Sequence, residues 1–259
     1  MSGRVLPRGY EAVRLLSRNY DYDVRLVRSV ARDCLCVAKS VRAFRLVDNA
    51  VVGRLVSEGA LLSGLSHPHL VRAYETVSSP RPTVILEVLP GEVLSRLVQR
   101  RSHGLSVVDL ARLGSQLCSA LTYLHGRNVL HLDLKPSNLI VSGGLLKVLD
   151  LGLAQPPGPY AAGAGTPEYL APEQALGSPV SAATDVWSLG GVLYRAATRR
   201  RPFPEAKEDD FPQLRRRVAP LGRRLPAPLR DLILACLTPL TSSRPTVSEA
   251  ANVLRSYLP

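Results

Sequence analysis

The segment that decides the fold runs from His131 to Glu173 and holds three separately spaced groups of residues. It opens with His131-Leu132-Asp133-Leu134-Lys135-Pro136-Ser137-Asn138, continues through an apolar strand to Asp150-Leu151-Gly152, and closes with Gly165-Thr166-Pro167-Glu168-Tyr169-Leu170-Ala171-Pro172-Glu173. The fixed order of these three groups, more than any one residue, points to a chemical site.

The residue types in this segment match what phosphoryl transfer from ATP requires. Such a transfer needs an aspartate that takes the proton of the incoming hydroxyl, and an asparagine and a second aspartate that hold magnesium on the phosphates. A lysine beside the base can meet the moving charge. The sequence offers Asp133, Asn138, Asp150 and Lys135 for these tasks. It therefore predicts ATP and Mg²⁺ as cofactors.

With these motifs the chain resembles the catalytic domain of eukaryotic-type serine/threonine protein kinases, in the minimal form of bacterial kinases. The resemblance runs through nearly the whole chain and implies an α+β, two-lobed fold. A small antiparallel β lobe with one helix would occupy about 1–88, and a larger, mainly helical lobe about 89–259. A single kinase domain would then fill 1–259, with no appended linker, sensor domain or membrane anchor.

The small-lobe sequence carries a lysine and a glutamate that the resemblance pairs. Strands are predicted at 12–16, 24–27 and 34–39 from their apolar and β-branched residues. The third strand ends in Val37-Ala38-Lys39, which resembles the kinase strand whose lysine pairs with the α- and β-phosphates. Glu58 follows in an amphipathic helix predicted at 54–62. The resemblance implies an ion pair between Lys39 and Glu58 that fixes the lysine in place.

The segment between the first two strands departs from the family pattern. By resemblance the glycine-rich phosphate loop should occupy 17–24, but Ser17, Asn19 and Tyr22 stand at its three glycine positions. Glycine allows close approach of the backbone to phosphates and positive φ, which tyrosine does not readily adopt. Asp21 and Asp23 would also bring negative charge toward a triphosphate. Nucleotide binding is therefore what the sequence leaves open.

The adenine site is assigned by resemblance alone. A continuous apolar strand is predicted at 83–89 and would form the hinge between the lobes, with Leu86 as the gatekeeper. The backbones of Glu87 and Leu89 would meet the adenine. The resemblance places the base between four apolar side chains, those of Val24, Val37, Leu89 and Ile140.

Two features predict that no activating phosphate is needed. Leu132 stands where most regulated kinases carry the arginine that binds such a phosphate. The activation segment between Gly152 and Thr166 contains no serine or threonine, and its Pro, Gly and Ala content is typical of a flexible segment. The next residues, 165–169, resemble the peptide-positioning loop of serine/threonine kinases, in which Thr166 would contact Asp133 and Lys135.

The rest of the large lobe reads as helices. Ser106 and Asp109 form a cap for a helix to residue 125, whose apolar residues recur at helical spacing. Residues 184–194 resemble the central buried helix, with Asp185 supporting the catalytic-loop backbone. Closing helices are predicted at 225–237 and 247–258. The resemblance also implies a buried salt bridge between Glu173 and Arg244.

Charge and composition narrow the choice of partners. The net charge is +12, with arginine clusters at 199–201, 215–217 and 223–224 that Glu205, Glu208, Asp209 and Asp210 interrupt. An acidic partner surface fits this charge, but the chain lacks the interleaved aromatic residues of a nucleic-acid-binding module. No apolar run reaches the roughly 18 residues of a membrane span, and residues 1–10 lack a signal-peptide centre. A cytoplasmic protein without a membrane partner is expected.

The four cysteines show no metal-ligand spacing and are predicted to be reduced core thiols. Two of them, Cys34 and Cys36, would lie on one face of a strand.

Three functions are compatible with the sequence. The first is an ATP-dependent protein serine/threonine kinase that transfers the γ-phosphate to serine or threonine hydroxyls of a protein substrate. The alternative is a pseudokinase with weak or no ATP binding that acts as a scaffold or allosteric partner, which the missing glycines favour. Phosphorylation of a small molecule or peptide precursor is disfavoured because the peptide-positioning loop is intact.

Overall fold

The computed structural model describes residues 6–203, 211–222 and 224–259. The chain divides into two compact units, one up to Pro90 and one from Gly91 onward. The first unit is built on an antiparallel sheet and the second is mainly helical, which confirms the predicted α+β class. The acidic residues at 205–210 and Arg223, which belong to the predicted charge pattern, lie outside the described residues.

The first unit contains a five-stranded antiparallel sheet with the strand order β1-β2-β3-β5-β4. The strands are β1 (Tyr10–Arg18), β2 (Tyr22–Ser29), β3 (Cys34–Val41), β4 (Ala73–Val77) and β5 (Thr83–Leu86). The strand predicted at 83–89 therefore ends at Leu86. Val27, Cys36, Ala38 and Ile85 are fully buried and form one core cluster of this unit.

The helix of the first unit, α1 (Asn49–Ser63), starts earlier than the predicted 54–62 because Asp48 caps it. Asp48 Oδ1 accepts hydrogen bonds from the backbone nitrogens of Ala50 (2.9 Å) and Val51 (3.2 Å). Farther along the helix, a Cβ atom at Gly59 would collide with the side chain of Thr76 on β4. Glycine at this position therefore lets α1 lie close against the sheet, with Glu58 buried.

The second unit packs helices around a buried central one. Its helices are α2 (Leu94–Arg100), α3 (Val107–His125), α4 (Pro172–Leu176), α5 (Ala182–Thr198), α6 (Ala227–Cys236) and α7 (Val247–Arg255). A small sheet joins β6 (Glu92–Val93), β7 (Leu139–Ser142) and β8 (Leu145–Val148). α5 is the central helix, with Trp187 and Tyr194 almost fully buried, and α3 packs against α5 and α7.

Helix ends in the second unit follow the local sequence. Ser106 Oγ accepts a hydrogen bond from Asp109 N (3.0 Å), so the predicted cap of α3 is confirmed. α6 and α7 are shorter than the predicted 225–237 and 247–258. α6 starts only after Pro226, whose ring cannot continue a backbone hydrogen-bond ladder. In the described part of the chain, no helix combines the length and apolar content that a bilayer crossing requires.

The cysteines are all free thiols, but the prediction that all four lie in the core is wrong for Cys34. Cys34 is exposed where β3 leaves the turn from β2, whereas Cys36, Cys118 and Cys236 are buried. The Sγ atoms of Cys34 and Cys36 lie 3.9 Å apart, which confirms that they share a face of the strand. Burial raises the pKa of Cys118 to about 12, so this thiol stays protonated.

Candidate active site

The predicted ion pair between Lys39 and Glu58 forms within the first unit. Lys39 Nζ lies 2.7 Å from Glu58 Oε2, and both side chains are nearly excluded from solvent. The pair links β3 to α1, so the position of the lysine depends on how the helix is held against the sheet. A buried charge pair of this kind is costly to break, because two desolvated charges would lose their mutual attraction.

The residues predicted to contact adenine are divided between the two units. Val24 pairs with Lys39 across β2 and β3, and the alternation of the strand places Val37 on the same face. Leu89 follows β5 and is half-buried, and its neighbour Glu87 donates its backbone N–H to Arg72 O (3.0 Å). Ile140 lies on β7 in the second unit and is half-buried. Adenine binding by these residues stays a prediction.

Asp21 and Asp23, which the sequence places beside the expected phosphate loop, are both paired with arginines in the structure. Asp23 is buried and pairs with Arg18 (2.6 Å) and Arg25 (3.5 Å). Burial alone would raise the pKa of this carboxyl, but the bond and charge of Arg18, with further arginines nearby, lower it. Asp21 in turn pairs with arginines of the same unit. Each carboxylate therefore has arginine partners within the first unit.

In the second unit, a buried aspartate holds the backbone of the loop that leads to Asp133. Asp185 accepts hydrogen bonds from the backbone nitrogens of His131 (2.9 Å, at Oδ2) and Leu132 (2.8 Å, at Oδ1), and His125 Nε2 lies 2.8 Å from the same Oδ2. Leu132 has φ = 65°, a left-handed conformation that is unfavourable for a leucine. Gln174 Nε2 donates to Leu132 O (2.9 Å) and also restrains it. The support predicted for Asp185 is confirmed.

Asp133, Lys135 and Thr166 form a closed triangle of hydrogen bonds. Asp133 Oδ1 accepts from Thr166 Oγ1 (2.9 Å), and Asp133 Oδ2 accepts from Lys135 Nζ (2.7 Å). Lys135 Nζ also lies 2.5 Å from Thr166 Oγ1. The Asp133 side chain is 13% exposed, so its carboxylate is sheltered from solvent but not fully buried. The predicted contacts of Thr166 are therefore present.

The two residues predicted to hold a metal lie on adjoining segments. Asn138 Nδ2 donates to Asp133 O (3.0 Å) and to Asp133 Oδ2 (3.2 Å). Asn138 O accepts from Leu149 N (2.8 Å), which fixes the residue before Asp150. Asp150 has φ = 59°, and Gly152 N donates to its Oδ1 (3.2 Å). A non-glycine residue held at positive φ beside a polar cluster is a frequent feature of functional sites.

The segment around the peptide-positioning loop is anchored by buried polar side chains. The predicted Glu173–Arg244 salt bridge is confirmed, with two nitrogen–oxygen distances of 2.7 and 2.8 Å. Gln213, which is also buried, donates from Nε2 to Pro167 O (3.2 Å) and Leu170 O (3.0 Å). Thr166 is therefore held next to Asp133 by a loop with fixed ends.

Leu132 packs in an apolar cluster instead of offering a phosphate-binding charge. Leu130, Leu132 and Val180 are buried together, and Tyr160 of the activation segment packs against them. Tyr160 donates its hydroxyl to Ala164 O (2.5 Å). Despite its flexible composition, the activation segment is also paired at Gly158 with Val180. Apolar contacts and backbone pairing therefore hold this segment in the structure.

Part of the arginine cluster at 199–201 serves the fold of the second unit. Arg199 donates to Ser102 O (3.0 Å) and Gln99 O (3.3 Å), and Arg201 lies 2.6 Å from Glu168. The cluster at 215–217 is exposed.

The family model described as "Protein kinase domain" matches residues 23–254. The chain belongs to the protein kinase family. Two relatives match nearly the full kinase chain. CBL-interacting protein kinase 4 of Oryza sativa subsp. japonica is 32% identical over 254 residues, with 93% of this chain and 56% of the relative covered. Serine/threonine-protein kinase pkn3 of Myxococcus xanthus is 31% identical over 274 residues, with 96% and 49% covered.

A third relative is similar over a shorter region of the kinase. Serine/threonine-protein kinase PknB of Mycobacterium leprae (strain TN) is 33% identical over 193 residues, with 70% of this chain and 30% of the relative covered. The chain thus spans about half the length, or less, of these curated relatives.

Three residues that shape the site carry no recognisable signal in the sequence. Gln174, Gln213 and Tyr160 hold the loops around Asp133, yet none belongs to a charged or glycine-rich motif. The nearest signal is the sequence Ala171-Pro172-Glu173-Gln174, which starts a helix. It indicates a buried amide at Gln174 only when Leu132 is known to lie beside it.

Proposed function

We propose that this protein is an ATP- and Mg²⁺-dependent serine/threonine protein kinase that phosphorylates a protein substrate. The single observation that carries the proposal is the hydrogen-bonded triangle of Asp133, Lys135 and Thr166. It combines the partly exposed carboxylate of Asp133, the ammonium group of Lys135 and the hydroxyl of Thr166, which orients both. The names of the relatives, which are serine/threonine-protein kinases in two of the three cases above, support the same activity.

In this proposal each residue of the second unit has a defined task. Asp133 accepts the proton of the substrate hydroxyl, and Thr166 holds the carboxylate in the orientation that this transfer needs. Lys135 stabilises the negative charge that develops on the transferred group. The sheltered position of Asp133 strengthens these electrostatic interactions, because little water competes for the same atoms.

The residues present fit a magnesium nucleotide. Asn138 uses its amide nitrogen in two bonds to Asp133, which leaves its oxygen as the ligand atom, and Asp150 adds a carboxylate. Oxygen ligands of this kind are those that Mg²⁺ prefers. In the first unit, Lys39 would pair with the phosphates, held by Glu58. When bound, ATP supplies the γ-phosphoryl group and Mg²⁺ neutralises part of its charge.

Phosphate transfer to a mixture of proteins tests the proposal. Purified protein with ATP and Mg²⁺ should yield phosphoserine or phosphothreonine, identified by mass spectrometry. Thr166→Val should lower the rate by about 10–100-fold, because the carboxylate of Asp133 loses the hydroxyl that orients it. Thr166→Ser keeps that hydroxyl and should retain most of the rate. Absence of transfer, or equal rates for Thr166→Val and wild type, would contradict the assignment.

A second prediction is that activity needs no phosphate on the protein itself. Tyr160 and Leu132 hold the activation segment through apolar contacts, so removal of phosphates should not release it. Protein treated with a phosphatase and then separated from it should transfer phosphate within about twofold of the untreated rate. A regulated kinase that depends on activation-segment phosphate serves as the positive control. A strong loss here would reveal a regulatory phosphorylation site elsewhere in the chain.

A further inference from the structure

The turn between β1 and β2 is closed by polar contacts that do not need glycine. Asn19 Oδ1 accepts hydrogen bonds from the backbone nitrogens of Asp21 (2.9 Å) and Tyr22 (2.6 Å). Such a side-chain-capped turn is a common use of asparagine. Tyr22 then starts β2 in an extended conformation, so the positive φ that a glycine-rich loop uses is not required of it.

Tyr22 contacts both elements that form the buried ion pair. Its ring lies 5.0 Å from Lys39 Nζ, a favourable arrangement of a cation over an aromatic face. Its hydroxyl donates to Val51 O on α1 (3.2 Å), and the ring packs against a cluster that includes Val51 and Leu55. Burial raises the pKa of Tyr22, which keeps the hydroxyl protonated and able to donate.

The neighbouring Asp21 ties the same turn to α1 through charge. Asp21 Oδ1 lies 2.8 Å from Arg45 Nε, and Asp21 Oδ2 lies 3.2 Å from Arg54 on α1. Because the Arg54 side chain is 41% exposed, this pair alone stabilises the turn only weakly. Together with the half-buried Tyr22, it gives the turn two connections to the helix that carries Glu58.

We propose that the β1–β2 turn is a positioning clamp, in which Tyr22, assisted by Asp21, holds α1 and Lys39 so that the Lys39–Glu58 pair stays formed. Val51 and Glu58 lie about two helical turns apart, on the same side of α1. A contact at Val51 therefore restrains the face of the helix that presents Glu58. Tyr22 and Asp21 are positioning residues, and their effect on catalysis rests on the proposed kinase function.

The clamp predicts that the family's glycine would not improve phosphate binding at position 22. Glycine at position 22 would remove the ring over Lys39, the hydroxyl bond to Val51 and part of the apolar cluster. It would therefore weaken the hold on Lys39 instead of improving the grip on phosphates. Because Tyr22 holds Lys39 in place, and Lys39 would bind the phosphates, the affinity for nucleotide depends on Tyr22 as well.

Kinetics of Tyr22 variants test the clamp. Tyr22→Leu should lower kcat/KM about tenfold, mainly through a higher KM for ATP, since the cation–π contact acts on Lys39 and the hydrogen bond acts on α1, which carries Glu58. Tyr22→Phe keeps the ring and should stay within about threefold of wild type. The matched control is Tyr74→Leu, which removes a tyrosine ring lying over Arg32 and Arg72 in the same sheet. An unchanged or lower KM for ATP in Tyr22→Leu would overturn the clamp.

Hydrogen exchange of nucleotide-free protein gives a readout that does not need activity. Tyr22→Leu should speed exchange of the α1 amides at least about fivefold, with exchange in the second unit and in Tyr74→Leu unchanged. If Tyr22→Leu fails to fold, Tyr22→Phe decides, because the lost bond to Val51 O should still speed exchange around that residue. Unchanged α1 exchange in the folded variants would refute the clamp. A wild-type protein that transfers no phosphate but shows faster α1 exchange in Tyr22→Leu would refute the kinase function alone.

Discussion

Replacement of Asp133 by asparagine is expected to lower the rate of phosphate transfer about 10²–10⁴-fold without a change in unfolding midpoint. Asparagine has nearly the shape of aspartate, and its amide oxygen can still accept a bond from Lys135 or Thr166. It cannot take the proton of a substrate hydroxyl, since a neutral amide is not a useful base at neutral pH. The variant thus separates proton transfer from the integrity of the site.

The control for this variant is another aspartate of the same unit. Asp231 pairs with Arg230 at 2.9 Å, and its side chain is 62% exposed, so Asp231→Asn should leave both transfer and unfolding unchanged. Rates are measured with saturating ATP and Mg²⁺, and unfolding is followed in the same buffer. Retention of more than about a tenth of the wild-type rate by Asp133→Asn would remove the general base from the proposed mechanism.

Residues close in sequence account for most of what could be predicted. The strands, the cap of α3 and the order of the catalytic groups follow from periodicity and spacing within short windows. The pairs Lys39–Glu58 and Glu173–Arg244 were predictable only through the family resemblance, because nothing in the intervening residues specifies the pairing. Both form in the structure.

Contacts between distant segments explain what the sequence could not predict. In the sequence, Tyr22 is only a departure from the glycine pattern. In the structure its ring lies next to Lys39 Nζ and its hydroxyl donates to Val51 O. From the sequence, Asp23 is expected to place a negative charge near the phosphates. In the structure it is buried and paired with Arg18. In each case the partner is set by strand register and helix packing, which a single sequence does not determine. Position within a motif was therefore a poor guide to which way these side chains point.

Removal of one partner of the buried Glu173–Arg244 pair is expected to destabilise the second unit far more than removal of one partner of an exposed pair. The Arg244 side chain is fully buried, and besides its two bonds to Glu173 it donates to three backbone oxygens. The acceptors are Thr238 O (2.8 Å), Ala183 O (2.9 Å) and Pro239 O (2.9 Å). Glu173 accepts one more bond, from Thr184 Oγ1 (2.8 Å). Removal of Arg244 would leave a buried carboxylate and these oxygens without their donor.

Arg244→Leu should therefore lower the free energy of unfolding by about 3–5 kcal/mol. Arg244→Lys should lose much of this stability too, because an ammonium group cannot reproduce the planar, bidentate contact. The chain's one tryptophan, Trp187, lies under the Arg244 guanidinium at 5.0 Å, so its fluorescence reports on denaturant unfolding at this place. The midpoint and slope of the transition give the free energy for each variant.

The exposed pair of Arg230 and Asp231 supplies the matched comparison. Their side chains are 48% and 62% exposed, so Arg230→Leu should change the unfolding free energy by less than about 1 kcal/mol. In the double variant Glu173→Gln with Arg244→Leu, the penalty should be smaller than the sum of the two single changes, since no uncompensated charge remains. Equal small effects for Arg244→Leu and Arg230→Leu would show that the buried pair does not stabilise the fold. Additive effects in the double variant would show that the two side chains act independently, despite their distance of 2.7 Å.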